Sequence, residues 1–224
     1  MLSDKGRTAA LAAVLLAWST VTPRIPARWH PVPHAAFGTA AAVSARASLG
    51  LRPPTLWSGL RWGAAAAAPV VLAVAVATAI PPVRSGMAGR VLPAPTGRWL
   101  LLRIPFGTVW SEEAAFRAAL GTVAIRAFGA TGGPLVAAAT FGLSHVPDAR
   151  ATGESVPATV AVTGAAGWIF AWLYAKSGSL AAPMLAHLAI NEAGAIAALA
   201  VQRRSSGRER PTGAVRLSGR RSRN

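Results

Sequence analysis

Glu112 and Glu113 stand side by side, and Arg117 follows four positions after Glu113. Wound as a helix, Glu113 and Arg117 share a face in the order that favours an ion pair. The guanidinium can then hold one carboxylate through charge-assisted bonds. Glu112 points about 100° away and is free to meet a different partner. Further on, His145 closes the run Phe141-Gly-Leu-Ser-His145, and His187 and Asn191 stand four apart in Pro183-Met-Leu-Ala-His187-Leu-Ala-Ile-Asn191. An imidazole and a carboxamide on one helix face can together donate hydrogen bonds to a developing oxyanion. All three sets lie in or beside apolar stretches, where lipid makes ionisable groups expensive, so together they point to one buried site. Each set also has a plainer reading. Ser111 can cap a helix whose first turn carries the two glutamates. His145, just ahead of Val146-Pro147, suits a membrane interface. His187 and Asn191 suit hydrogen bonding between helices. Glu192 follows Asn191 directly but points elsewhere around its helix, toward a lipid interface or a cavity.

The elements that must position these residues are apolar helices. The chain is 53% hydrophobic and 13% charged, with mean hydropathy +0.42. Soluble domains carry about a quarter charged residues, so a soluble, alanine-rich helical domain would lack the charges to cover its surface. The apolar residues come in long runs rather than in alternation. The pattern predicts an all-α, polytopic transmembrane bundle of six to eight helices around a polar intramembrane cavity. Apolar runs fall at 8–21, 35–49, 63–80, 99–128, 134–146, 158–175 and 180–201. The first, preceded by Lys5 and Arg7, predicts a membrane helix rather than a cleaved signal. The second is short and interrupted by Arg46. The fourth is one long bent helix or two, with Pro105 and Gly107 as the break. Prolines make 22–34 a loop, in which His30 and His34 are expected to be solvated or interfacial. Arginines and tryptophans give 52–62 the composition of an interfacial segment. Glycines predict a turn at 129–133, and loops are expected at 81–98 and 147–157. Three regions result: N-terminal membrane helices and loops (1–98), a helical core carrying the three polar sets (99–201), and a basic tail (202–224).

The formal net charge is +16, from 23 basic and seven acidic residues. Nucleic acid is not the expected partner, because the charge is not interleaved with aromatics on a folded surface. The tail alone holds eight arginines against one glutamate, the composition of a disordered segment. By the positive-inside rule it is cytoplasmic, and it faces anionic lipid. The compact, arginine-rich chain suggests a bacterial plasma membrane. The absence of cysteine excludes disulfides, thiol nucleophiles and thiolate metal sites.

In this order the three sets, Glu112-Glu113-x-x-x-Arg117, Phe141-x-x-x-His145 and His187-x-x-x-Asn191, resemble the CPBP family of intramembrane endopeptidases, which includes CAAX proteases and bacteriocin-processing enzymes and is also called the Abi family. The resemblance covers roughly 99–200. It includes Phe116 ahead of the arginine, and Ser179-Leu-x-x-Pro183-Met ahead of the last set. Ala118 stands where the family often has glycine. The resemblance implies that Glu112 is the general base that activates water and that His145 assists it. It implies that His187 and Asn191 stabilise the oxyanion, with Glu113 and Arg117 as a supporting ion pair beside Phe141. Glu112, His145 and His187 could hold zinc with one position open for water. A metal-free, glutamate-activated water uses the same residues, since a carboxylate in a poorly hydrated cavity is a stronger base. Other intramembrane protease signatures are missing: there is no His-Glu-x-x-His, no Gly-x-Ser-x-Gly and no pair of aspartates in spans.

The expected activity is hydrolysis of peptide bonds in a protein or peptide substrate at the membrane. Processing of bacteriocin-like peptides, immunity to them, and membrane-protein turnover fit better than the prenylated substrates of the eukaryotic branch. Two other classes compete. A non-catalytic scaffold or immunity protein would use the polar residues only to hold helices together, and a transporter would use them to bind cargo.

Overall fold

The structure is a computed structural model and describes residues 2–208. Seven helical stretches run through them, with no strand among the described residues. In chain order they begin with α1 (Asp4–Val21), α2 (Pro31–Ser44), α3 (Thr55–Ala77) and α4 (Pro81–Gly89). The fifth stretch combines α5 (Thr96–Arg98), two wide-turned π-helical segments (Trp99–Trp110 and Glu113–Leu120), α6 (Gly121–Ser144) and α7 (Val146–Thr152). The last two are α8 (Val156–Ser177) and α9 (Ala181–Arg208). Four stretches are long and apolar enough to cross a membrane: Thr55–Ala77, Thr96–Thr152, Val156–Ser177 and Ala181–Ser205.

Several expected boundaries move. α1 forms, with the Ser3 hydroxyl accepting from the Gly6 amide at 3.2 Å, but it is not among the four stretches able to span. Asp4, Lys5 and Arg7 in its first turns dilute its hydropathy. α2 starts at Pro31 inside the expected loop, because proline at the first helical position lacks only an amide that would be unpaired anyway. The expected interfacial segment forms the first turns of α3, and the short helices Pro81–Gly89 and Val146–Thr152 take up part of the loops expected at 81–98 and 147–157. α9 continues to Arg208, so residues 202–208 belong to a helix; the rest of the basic tail lies outside the described residues.

No break occurs at Pro105 or Gly107. The chain continues helically in wide turns, with Pro105 inside them, and such turns are frequent at functional sites. The sharp change comes at Gly129, which has φ 74° and ψ 179°. L-residues do not settle there, so glycine lets the chain turn back at the expected place.

Glu113–Leu120 lies at the centre of the bundle, and all eight of its residues are buried. Phe116 and Leu120 pack with Leu15 of α1 and with Val123 and Phe141 of α6. Phe170 and Leu173 of α8 pack against Ala182 and Ala186 of α9. Lipid tails are as apolar as leucine, so such a bundle is held by close packing and polar links rather than by leaving solvent. The crossing of α6 and α8 shows this. A Cβ on Gly142 would lie 2.6 Å from the Val160 carbonyl oxygen, so only glycine permits the approach. The large apolar side chains facing outward, among them Leu72, Leu101, Val162, Trp168 and Ile190, suit a lipid surround.

Candidate active site

Three elements converge beneath one cavity of about 880 Å³. The segment around Glu113–Leu120 brings the glutamates and Arg117. The end of α6 brings Phe141 and His145, and α9 brings His187 and Asn191.

Glu113 is fully enclosed, with 0% exposure. Its Oε2 lies 3.1 Å from Arg117 Nε. Its Oε1 lies 2.7 Å from His187 Nδ1. The ion pair expected four positions apart is therefore present, and it also reaches across to α9. Arg117 has no room for further acceptors, and its terminal nitrogens have no hydrogen-bond partner. Two aromatic rings take their place: the guanidinium carbon is 3.9 Å from the Phe141 ring centre and 4.8 Å from that of Phe170. A cation held between two ring faces keeps a favourable electrostatic contact after losing water. Ala114, Ala115, Ala118 and Ala119, all at 2% exposure or less, let neighbouring helices close over the pair. Ala118 thus provides the close packing that glycine would give.

Glu112 has a different environment. Its side chain is 27% exposed, and Oε2 lies 3.8 Å from His187 Nε2. That oxygen has no hydrogen-bond partner, and Glu112 lines the cavity. His187 stands between the two carboxylates. The hydrogen bond to Glu113 commits Nδ1 as the donor and leaves Nε2 facing Glu112; this tautomer follows from the network. Phe170 stacks on the imidazole with ring centres 5.1 Å apart.

His145 sits where α6 ends and α7 begins, a junction set by Pro147 at the start of α7. Its own amide bonds Gly142, and its Nδ1–H donates to the Phe141 carbonyl at 2.8 Å. The side chain thus satisfies an acceptor that the helix end leaves open, and Nε2 is the nitrogen left to accept. Asn191 donates one amide hydrogen to the His187 carbonyl at 3.2 Å. Its second N–H remains uncommitted beside the cavity it lines. Glu192 does not line that cavity.

The cavity wall also contains two histidines from the expected loop at 22–34. His30 and His34 stack with ring centres 3.6 Å apart, and His34 is buried at 6% exposure. They are wall residues rather than solvated histidines, because α2 begins at Pro31 and carries them into the bundle. Burial first, then His34 and the Arg103 guanidinium, push the His30 imidazole down to about 3. Their spacing of four and the proline between them were the available signal. Phe170 gave none, being one aromatic among many apolar residues.

The proposed zinc ligands share a wall without converging. No group of three or more His, Cys, Asp or Glu side chains among the described residues is close enough to hold a metal ion. His187 Nδ1 is already held by Glu113. The residues as placed do not fit a three-ligand zinc site.

No curated protein and no solved structure matches the chain. A family model does, over residues 94–193, which span all three polar sets and both carboxylates of the site. Its description is type II CAAX prenyl endopeptidase Rce1-like, so residues 94–193 match the CAAX protease family that their motifs resemble.

Proposed function

We propose that this integral membrane protein is an endopeptidase that hydrolyses peptide bonds of a membrane-associated peptide or protein, with Glu112 as the base. The observation that carries this reading is the division of labour between adjacent glutamates. Glu113 is fully enclosed and tied to Arg117 through Oε2 and to His187 through Oε1, while Glu112 lines the cavity with its side chain 27% exposed. Glu112 takes a proton from water as the water oxygen attacks the carbonyl carbon. Nε2 of His145, left open because Nδ1 donates to the Phe141 carbonyl, accepts from the same water and aims its lone pair. The second N–H of Asn191 donates to the oxygen that gains charge, while His187 Nε2, which carries no hydrogen in this tautomer, stands beside Glu112 as an acceptor. Collapse breaks the C–N bond, and Glu112 returns the proton to the leaving nitrogen. Glu113 and Arg117 do not touch the substrate; they hold His187 in one tautomer and one orientation. Each step uses only side chains of this chain and water. The eight arginines of residues 202–224 favour a cytoplasmic C-terminal end, and the arginine-rich composition favours a bacterial plasma membrane.

The test is cleavage of a peptide library by the purified protein in liposomes, wild type beside Glu112→Gln, each with and without a chelator. Loss of cleavage in the variant and indifference to the chelator are the expected results. Equal behaviour of wild type and variant would reassign the Glu113–His187 network to holding helices together. Chelator sensitivity would call for ligands beyond those gathered here.

A further inference from the structure

We propose that Arg103, on the wall of the cavity that holds Glu112, is the subsite for a carboxylate of the peptide substrate. This rests on the hydrolytic reading and names what the same cavity selects. Arg103 interrupts the apolar segment Trp99–Trp110, inside a stretch long and apolar enough to cross a membrane. A guanidinium at such a place is expensive unless it meets an anion or water, and it marks function more often than packing. Arg103 is half-buried and lines the cavity. Among the described residues it has no ion pair and no side-chain hydrogen bond. Arg117, in the enclosed seam beside the site, has both a carboxylate and two ring faces; Arg103 has neither.

The surroundings add positive charge. Arg24 and Arg90 line the same cavity, without a carboxylate partner among the described residues, and the Arg24 guanidinium donates to the Thr20 carbonyl. Asp148 and Glu154 also line the cavity, yet neither pairs with an arginine. Burial and the guanidinium keep the neighbouring His30 neutral, so Arg103 is the fixed cation of that wall. Arg103 and Glu112 are about two turns apart on one segment. A peptide anchored by a carboxylate at Arg103 would therefore bring a bond a few residues away to Glu112. A lipid phosphate offers no peptide bond there, which favours a peptide as the occupant. The planar guanidinium matches a carboxylate in two parallel hydrogen bonds, which also fixes register.

The test reads binding on the full-length Glu112→Gln protein in neutral-lipid proteoliposomes, so it does not depend on cleavage. The probe is a fluorescein-labelled apolar decapeptide made as the free acid, as the C-terminal amide, and as the amide with one internal aspartate. Fluorescence anisotropy gives the affinities. The free acid or the aspartate form is expected to bind at least about tenfold tighter than the plain amide. Which of the two does so tells terminal from side-chain carboxylate. The preference is expected to collapse in Glu112→Gln/Arg103→Gln and to persist in part in Glu112→Gln/Arg103→Lys. Equal binding of all three peptides to the protein with Arg103 intact would overturn the proposal. That comparison alters no residue at Arg103, so it decides even where the glutamine variant fails to fold. A preference that survives Arg103→Gln would also overturn it. So would Arg103-dependent binding of phosphatidylglycerol vesicles with no preference among the peptides, which would assign the cation to a headgroup. Wild type that cleaves nothing would sink the hydrolytic reading and leave these binding outcomes intact.

Discussion

Two neighbouring regions of the site differ sharply although their key residues are adjacent in sequence. The enclosed region contains Glu113, Arg117, Phe141 and Phe170, with the carboxylate at 0% exposure and the guanidinium at 2%. The open region contains Glu112, His145 and Arg103 around the cavity of about 880 Å³. The enclosed region has its charges paired across elements, as burial demands. Among the described residues, the open region leaves Glu112 Oε2 without a hydrogen bond and Arg103 without an ion pair. A helix turn separates anchor from reagent: one step along the chain rotates the side chain out of the packed seam and into the cavity. Positioning is therefore achieved without occupying the atoms that must react.

The largest effect should come from breaking the enclosed pair. Arg117→Met leaves Glu113 buried beside His187 alone, and Glu113→Gln leaves the guanidinium without its anion. Each should cost about 3–5 kcal/mol of stability, read as a lower unfolding midpoint in detergent, with cleavage lost as His187 loses its orientation. The double change Glu113→Leu/Arg117→Met should regain most of that stability, since apolar side chains of similar volume replace a buried pair well. It should not regain cleavage. Recovery of both would show that the pair does not hold His187 for chemistry.

Glu112→Gln should do the reverse. Its side chain is partly exposed and its free oxygen anchors nothing, so the unfolding midpoint should stay near wild type. Cleavage should fall about 10²–10⁴-fold, the range for loss of a general base. A midpoint that drops as far as that of Arg117→Met would place Glu112 in the packed seam and remove the contrast between the two regions. Between these extremes lies Gly142→Val, which introduces a Cβ 2.6 Å from the Val160 carbonyl. It should cost about 1–3 kcal/mol through overpacking. Cleavage should fall as well, because the displaced α6 carries the Phe141 ring that faces Arg117 and the carbonyl that holds His145.

The spacing rules explain why some of this was legible beforehand. Glu113 and Arg117 are a local pair, so a helical period of four sufficed to see them. The long apolar runs announced the bundle, and the glycines announced the bend near Gly129. The link from His187 Nδ1 to Glu113 joins residues 74 positions apart, and no local pattern contains it. Arg103 interrupts an apolar run, yet no spacing assigns it to the wall of the site, because the wide turns of Trp99–Trp110 alter the period that assigns faces. His30 and His34 were read as loop residues because four prolines surround them. The proline that suggested a loop is instead the start of α2.

The smallest expected effect tests the far wall of the open region, where His30 stacks on His34. In the folded protein the His30 imidazole is pushed down to about 3, by burial first and then by His34 and Arg103. An ordinary histidine titrates near 6.5, so between about 6.5 and 3 the unfolded chain binds a proton that the folded chain does not. Stability should therefore fall as pH drops through that window, and His30 should contribute nothing to its pH dependence above it. His30→Phe keeps a ring against His34 and removes the titration. Its unfolding midpoint should lose less between pH 7.5 and pH 5 than wild type does, by about a few degrees. The difference should be modest, because His30 is half-buried and solvent screens part of the repulsion. Equal acid sensitivity of the two proteins would mean that His30 takes up its proton in the folded state. The wall beside Arg103 would then be open to water rather than closed by the stacked pair.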